Sequence, residues 1–127
     1  MPIISRSRRA VLKHIATLAR YSYFENYSAA ERLLNEVKDE IRRRGVWGEG
    51  CYAAARGMIA AGREGAPITF FWKVRNADLN SLAGMRESIV KDLARENIDD
   101  FEAGFLHAWL TIIDTIIQVK KSMKGVR

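Results

Sequence analysis

The chain has 127 residues, of which 48% are hydrophobic and 28% charged, a balance that favours one folded domain over intrinsic disorder. Its single cysteine, Cys51, excludes an internal disulfide and an all-cysteine zinc site, and is typical of a reducing, cytoplasmic setting. The first nine residues lack the apolar core of a signal peptide, and polar side chains interrupt the longest apolar stretch, residues 103–117. We therefore expect a soluble, cytoplasmic protein without a membrane segment.

The first half of the chain predicts three helices. Apolar residues recur at helical spacing in residues 6–20, and a Ser-x-x-Glu sequence beginning at Ser28 predicts the capped start of a second helix. The second helix is expected to end with three arginines before Gly45, because the helix dipole favours cations there. A third helix is predicted over residues 48–61, and Gly62 and Gly65 are expected to break it.

The second half of the chain predicts one short helix and two longer helices. Residues 67–75 begin with a proline and suit a short helix, although the same apolar run would suit a buried strand equally well. Asp78 and Asp99 are expected to cap the two helices that follow them. The final helix is predicted over residues 100–121.

These elements predict an all-α fold, a single compact bundle of five to six helices over residues 1–127. Residues 1–5 and 122–127 are expected to form flexible basic ends. Phe101 is expected to lie on the apolar face of the final helix. The predicted core draws on every helix after the first: Leu33, Val37, Met58, Phe70, Leu82, Ile89, Phe105, Trp109 and Ile113.

The net charge of +6 is unevenly distributed along the chain. Residues 1–20 carry five basic residues and no acid, residues 42–75 have a net charge of +5, and residues 76–119 have a net charge of −5. A positive face attracts polyphosphate chains. Since the ends of antiparallel helices return to a common region, we predict one nucleic-acid-binding stripe, with two lysines near the C-terminus added: Arg42, Arg43, Arg44, Arg56, Arg63, Lys73, Arg75, Lys120 and Lys121.

The sequence offers little for catalysis or for metal binding. Its two histidines, His14 and His107, lie outside any metal-ligand spacing, and no glycine-rich phosphate loop carries the lysine that such a loop needs. We therefore expect no catalytic residue, no metal, no cofactor and no small-molecule substrate.

Two alternative functions remain open at this point. The spacing from Arg9 to His14 resembles the Arg-x4–6-His pattern of helical HEPN ribonucleases, a resemblance that implies metal-independent RNA cleavage. Residues 28–62 alternatively suit a helix-turn-helix DNA-binding regulator with its arginines at the phosphates. Against the regulator, the candidate recognition helix is rich in alanine and offers few side chains that read bases.

Two segments resemble the small subunit of Cmr-type (type III-B) CRISPR effector complexes. The first is Gly65-Ala-Pro-Ile-Thr-Phe-Phe-Trp-Lys73, preceded by Tyr52 and by Met58-Ile59, and the second is Glu102-Ala-Gly-Phe-Leu-His-Ala-Trp109-Leu110. The chain departs from the family where Pro67 interrupts the turn, and where the basic charge expected after Leu110 is deferred to the two lysines at 120 and 121.

The resemblance implies a non-catalytic subunit of a ribonucleoprotein that takes part in antiviral defence. Such subunits stack head to tail and present basic residues to the backbone of the guide–target duplex, whose sequence is read by base pairing. The partners implied are RNA, other subunits of the effector complex and further copies of the same chain. Alternating basic and acidic blocks would suit such head-to-tail stacking.

Overall fold

The computed structural model describes residues 4–125, which form six α-helices and no β-strand. The predicted all-α bundle of five to six helices is confirmed. Residues 1–3 and 126–127, parts of the ends expected to be flexible, lie outside the described residues. In chain order the helices are α1 (Arg6–Tyr23), α2 (Tyr27–Arg42), α3 (Gly45–Glu64), α4 (Phe70–Asn76), α5 (Leu79–Leu93) and α6 (Asp100–Gly125).

The helices α3 and α6 form the centre of the bundle and share its most extensive contact. The first three helices run up, down and up. The helix α6 runs parallel to α1, because Arg8 of α1 and His107 of α6 both contact Trp47 at one end, and Lys120 of α6 lies over the ring of Tyr23 at the other. The bundle therefore has two distinct ends. One gathers the starts of α1, α3 and α6 with the end of α2, and the opposite end gathers the remaining termini of these helices and α4.

Two glycines allow α3 and α6 to approach each other closely. A Cβ atom at Gly104 would overlap the carbonyl oxygen of Trp47, and one at Gly50 would overlap the carbonyl oxygen of Phe101. The Sγ of Cys51 donates a hydrogen bond to the Gly104 carbonyl oxygen at the same crossing, 3.3 Å away. Only glycine allows this backbone-to-backbone approach.

The core differs from its prediction at the aromatic residues. Phe70 and Phe105, predicted to be buried, are 42% and 37% exposed, and Phe101 is 43% exposed. Two unpredicted aromatic residues, Trp47 and Phe71, fill the interior instead. The other predicted core residues are buried, except for half-buried Leu33: Val37, Met58, Leu82, Ile89, Trp109 and Ile113.

The helix boundaries in the first half correct two predictions. The Oδ1 of Asn26, rather than Ser28, caps α2 by accepting a hydrogen bond from the backbone N–H of Ala29 at 3.3 Å. Gly62 does not end α3, because it lies inside the helix and packs against the ring of Tyr27. The helix ends at Gly65, whose φ of 71° places it in the left-handed region.

The second half follows its predictions more closely. The helical alternative for residues 67–75 is confirmed over the strand, but its predicted start is wrong, because Pro67 lies in a turn and the helix begins at Phe70. Asp78 and Asp99 accept hydrogen bonds from backbone N–H groups three residues on, at 2.8 Å and 2.7 Å, and both predicted caps are confirmed. The last helix continues to Gly125, past its predicted end near residue 121.

Candidate nucleic-acid interface

The structure places the predicted basic residues in three regions rather than in one stripe. Arg42 pairs with Glu49 at the end of α2, whereas Arg63 pairs with Glu31 at its start. Because Glu49 and Arg63 are 14 residues apart on α3, these two regions are separated by about 20 Å along its axis. Arg43 and Arg44 lie at the first of them, and Arg56 lies between the two. The remaining predicted residues follow α3 or belong to the C-terminal part of α6: Lys73, Arg75, Lys120 and Lys121.

Several of the predicted cations are already neutralised by acids. The Nε of Arg42 donates to Oε1 of Glu49 at 2.8 Å. The guanidinium of Arg63 donates two hydrogen bonds to the carboxylate of Glu31, at 2.6 Å and 2.9 Å, which is the bidentate geometry that arginine favours. These charges attract a phosphate chain less than their number suggests.

Arg75 has a structural position at the opposite end of the bundle. Its Nε donates to the carbonyl oxygen of Tyr23 at 3.0 Å, and its guanidinium lies 4.8 Å from the centre of the Tyr23 ring. Lys120 lies 5.6 Å from the centre of the same ring. Burial, and secondarily the charge of Arg75, lower the pKa of Lys120 below its usual value. Both cations thus contribute to packing around Tyr23.

Five arginines gather at the other end of the bundle, and we call this group the arginine end: Arg6, Arg8, Arg9, Arg43 and Arg44. The first turn of α1 lies beside the connection between α2 and α3, because His14 contacts Glu40 across these helices and Arg8 reaches Trp47 in α3. None of the five arginines forms an ion pair with any residue of 4–125.

The first-turn arginines of α1 are not among the site residues predicted from the sequence. Their signal was nevertheless present, since residues 1–20 form a basic block without an acid. Two of them, Arg6 and Arg9, have exposed side chains, as does Arg43. Arg8 and Arg44 are half-buried, and the Nε of Arg44 has no hydrogen-bond partner within the described residues.

Trp47 and His107 pack beneath Arg8 of the arginine end, towards the interior of the bundle. The Nε1–H of Trp47 donates to Nδ1 of His107 at 2.9 Å, and the Arg8 guanidinium lies 4.7 Å from the centre of the Trp47 ring. Burial, followed by the positive charge of Arg8, lowers the pKa of His107 below its usual 6.5. An imidazole that accepts at Nδ1 is neutral and carries its proton on Nε2.

We expect the stability of the fold to depend on pH through His107. Because its pKa is lower in the folded state, its contribution is complete above about pH 6.5 and is lost as the pH falls from there towards the folded-state pKa. His107→Asn keeps an acceptor for Trp47 but does not titrate. Urea unfolding between about pH 5 and pH 8 should therefore give a steeper acid loss for the parent than for the variant. Parallel pH profiles of the free energy of unfolding for the parent and His107→Asn would contradict a lowered pKa for His107 in the folded state.

The geometry weighs against both alternative functions and against a reactive thiol. Arg9 and His14 lie about 140° apart around α1, and Nε2 of His14 is 2.6 Å from Oε2 of Glu40. The helix α3 packs against α1, α2, α4 and α6, so it does not project as a recognition helix. Burial, partly offset by the charge of Arg8, raises the pKa of Cys51 to about 12.

Residues 4–125 bring no group of three or more His, Cys, Asp or Glu side chains together in a way that could hold a metal ion. None of the six helices combines the length and apolar character needed to cross a membrane. No model of a known protein family, no curated protein and no solved structure matches the chain.

Proposed function

We propose that this protein is a non-catalytic nucleic-acid-binding subunit that contacts the phosphate backbone of RNA through its arginine end. One observation carries the proposal: the arginines there have no ion pair within residues 4–125, whereas Arg42, Arg63 and Arg75 are each paired with an acid. A fold places a group of unneutralised arginines at one site only at a cost in mutual repulsion. A phosphate chain offsets that repulsion.

The chemistry of these residues favours backbone contact over base reading. Arginine binds phosphate oxygens through its planar, permanently charged fork, and phosphates are the same for every nucleotide sequence. The arginine end lies at helix termini, and neither the first turn of α1 nor the α2–α3 connection carries an Asn or Gln side chain for reading a base edge. Binding should therefore tolerate any sequence.

The resemblance to the Cmr-type small subunit supports a more specific version of the proposal. In that version the chain belongs to a CRISPR ribonucleoprotein, contacts the guide–target duplex, and binds other effector subunits and further copies of itself head to tail. Isolation of the protein from its native host tests this version directly. Co-purification of a guide RNA with further Cas-type subunits is expected, and recovery of the protein without RNA would count against it.

The experiment on the arginine end compares two triple variants of equal charge. The first is Arg6→Gln, Arg9→Gln and Arg43→Gln, which removes three exposed arginines that have no described partner. The control is Arg20→Gln, Arg32→Gln and Lys91→Gln, which removes three exposed cations from elsewhere on the bundle. Both variants are expected to fold like the parent, because none of the six side chains is buried.

The quantity to measure is the affinity of each variant for single-stranded RNA at several salt concentrations. Each phosphate contact contributes roughly 0.7 to the slope of log affinity against log salt, so loss of three contacts should lower the slope by about 2 and the affinity at 0.1 M salt by about 100-fold. The control should keep the parent slope. Equal losses of affinity in the two variants would mean that RNA binding depends only on net charge, and would overturn the assignment to the arginine end.

A further inference from the structure

An apolar groove of about 540 Å³ crosses the side of the bundle between α3 and α5. It is lined by Trp109 and Phe105 of α6, by Phe70 of α4 and by Ile89 of α5. Phe70 and Phe105 keep more than a third of their surface exposed. A contiguous apolar groove with exposed aromatic side chains is a candidate interaction surface.

The α3 side of this groove contains Gly57, and no contact within the single chain requires a glycine at this position. The α3 glycines at 48, 50 and 62 each lie so close to neighbouring atoms that a Cβ could not be added, and Gly45 at the start of the helix has a positive φ of 72°. A Cβ at Gly57 would meet no atom within 4 Å, although glycine is the poorest helix former after proline. With Ala53, one turn earlier, Gly57 leaves a low ridge on which another backbone can lie.

The two rims of the groove carry opposite charges. Arg56 borders the ridge on the α3 side, where it also lines an adjoining groove with Ala53 and Gly57. Asp92 follows Ile89 by one helical turn, which places it on the α5 rim. Both side chains are exposed, and neither forms an ion pair with another residue of the described chain.

We propose that a second copy of this chain occupies the groove in a closed, two-fold dimer. The face is self-complementary, because it has both projecting phenylalanines and a low ridge to receive them, and both a cationic and an anionic rim. A two-fold rotation places Arg56 of each copy opposite Asp92 of the other and brings each Phe105 towards the other copy's ridge. The proposal does not depend on the arginine end, which lies elsewhere on the bundle.

Sedimentation equilibrium of the full chain tests the stoichiometry. We expect a reversible monomer–dimer equilibrium with a dissociation constant below about 100 µM, typical of a small interface. A monomer at every concentration up to about 1 mM overturns the proposal. Open-ended growth through the groove, which Gly57→Gln would then abolish, also overturns it, because a head-to-tail contact that does not close produces filaments.

A matched pair of glycine variants tests the location. Gly84 is also an exposed glycine inside a helix where a Cβ would meet nothing, but it does not line the groove. Gly57→Gln and Gly84→Gln should each raise the Tm of the monomer by about 3 °C, since glutamine favours helix. Only Gly57→Gln should weaken the dimer, by 10-fold or more. Equal dimer affinities for the two variants overturn the proposed site.

A charge exchange tests the orientation. Arg56→Asp and Asp92→Arg should each weaken the dimer about fivefold, because each places like charges across the interface. The double variant restores opposite charges and should recover most of the parent affinity. A double variant that is weaker than both single variants contradicts the two-fold arrangement.

Discussion

Gly104→Ala is expected to lower the free energy of unfolding by about 3 kcal/mol, because its methyl group overlaps the carbonyl oxygen of Trp47. A flexible side chain could move aside, but a backbone carbonyl inside α3 cannot move without moving the helix. The two central helices must therefore separate, and the hydrogen bond from Cys51 to the Gly104 carbonyl oxygen is lost with them. Urea unfolding followed by circular dichroism measures the change.

Two further alanine substitutions make this test specific. Gly84→Ala, in α5, adds the same methyl group to open space and should raise the free energy of unfolding by up to about 1 kcal/mol. Gly50→Ala acts at the same crossing as Gly104→Ala, so the double variant should lose less than the two single losses combined. A loss below about 1 kcal/mol for Gly104→Ala would contradict the close crossing of α3 and α6.

The helices could be predicted because their signals are local. Apolar periodicity and the caps at Asp78 and Asp99 involve residues within one or two turns of each other, so no knowledge of the fold is needed. The exposure of Phe105 was not predictable in this way. Periodicity identifies the apolar face of a helix, but the packing of neighbouring helices determines which residues on that face are buried.

Trp47 was missed in the core for a related reason. It lies one residue before the predicted start of the third helix, at residue 48, and the true helix begins at Gly45. Its burial depends on α6 passing over the first turns of α3, a contact between residues about 60 positions apart in sequence. No local pattern reports such a contact.

The candidate site was predictable in its residue type and not in its placement. The surplus of arginine indicated a polyanionic partner, but the ion pair between Arg63 and Glu31 joins residues 32 positions apart and could not be read from spacing. The prediction also treated all helix ends as one region, whereas adjacent antiparallel helices place the two ends of α3 about 30 Å apart. The acid-free block at the start of the chain was the useful signal, because its arginines in α1 have no ion pair within the described residues of the folded chain.

Trp47→Ala is expected to cost about 3–5 kcal/mol of unfolding free energy, the range for removal of a large buried aromatic side chain. Trp47, a residue of α3, is 1% exposed and contacts Arg8 of α1 and His107 of α6. Its loss also leaves Nδ1 of His107 without its donor and removes the ring beneath Arg8. Thermal and urea unfolding of the purified variant measure the loss.

Trp72→Ala is the matched control, because Trp72 also donates an indole hydrogen bond, to the carbonyl oxygen of Ala61 at 2.9 Å, but is only half-buried in the short helix α4. We expect it to cost clearly less than Trp47→Ala, since less apolar surface and a smaller cavity are involved. The reverse order would mean that α4, rather than the start of α3, anchors the bundle. Trp47→Phe, which keeps a ring in place, should retain most of the stability and lose about 1 kcal/mol with the hydrogen bond to His107. Because that variant still supports Arg8, it separates the contribution of Trp47 to the core from its contribution to the arginine end.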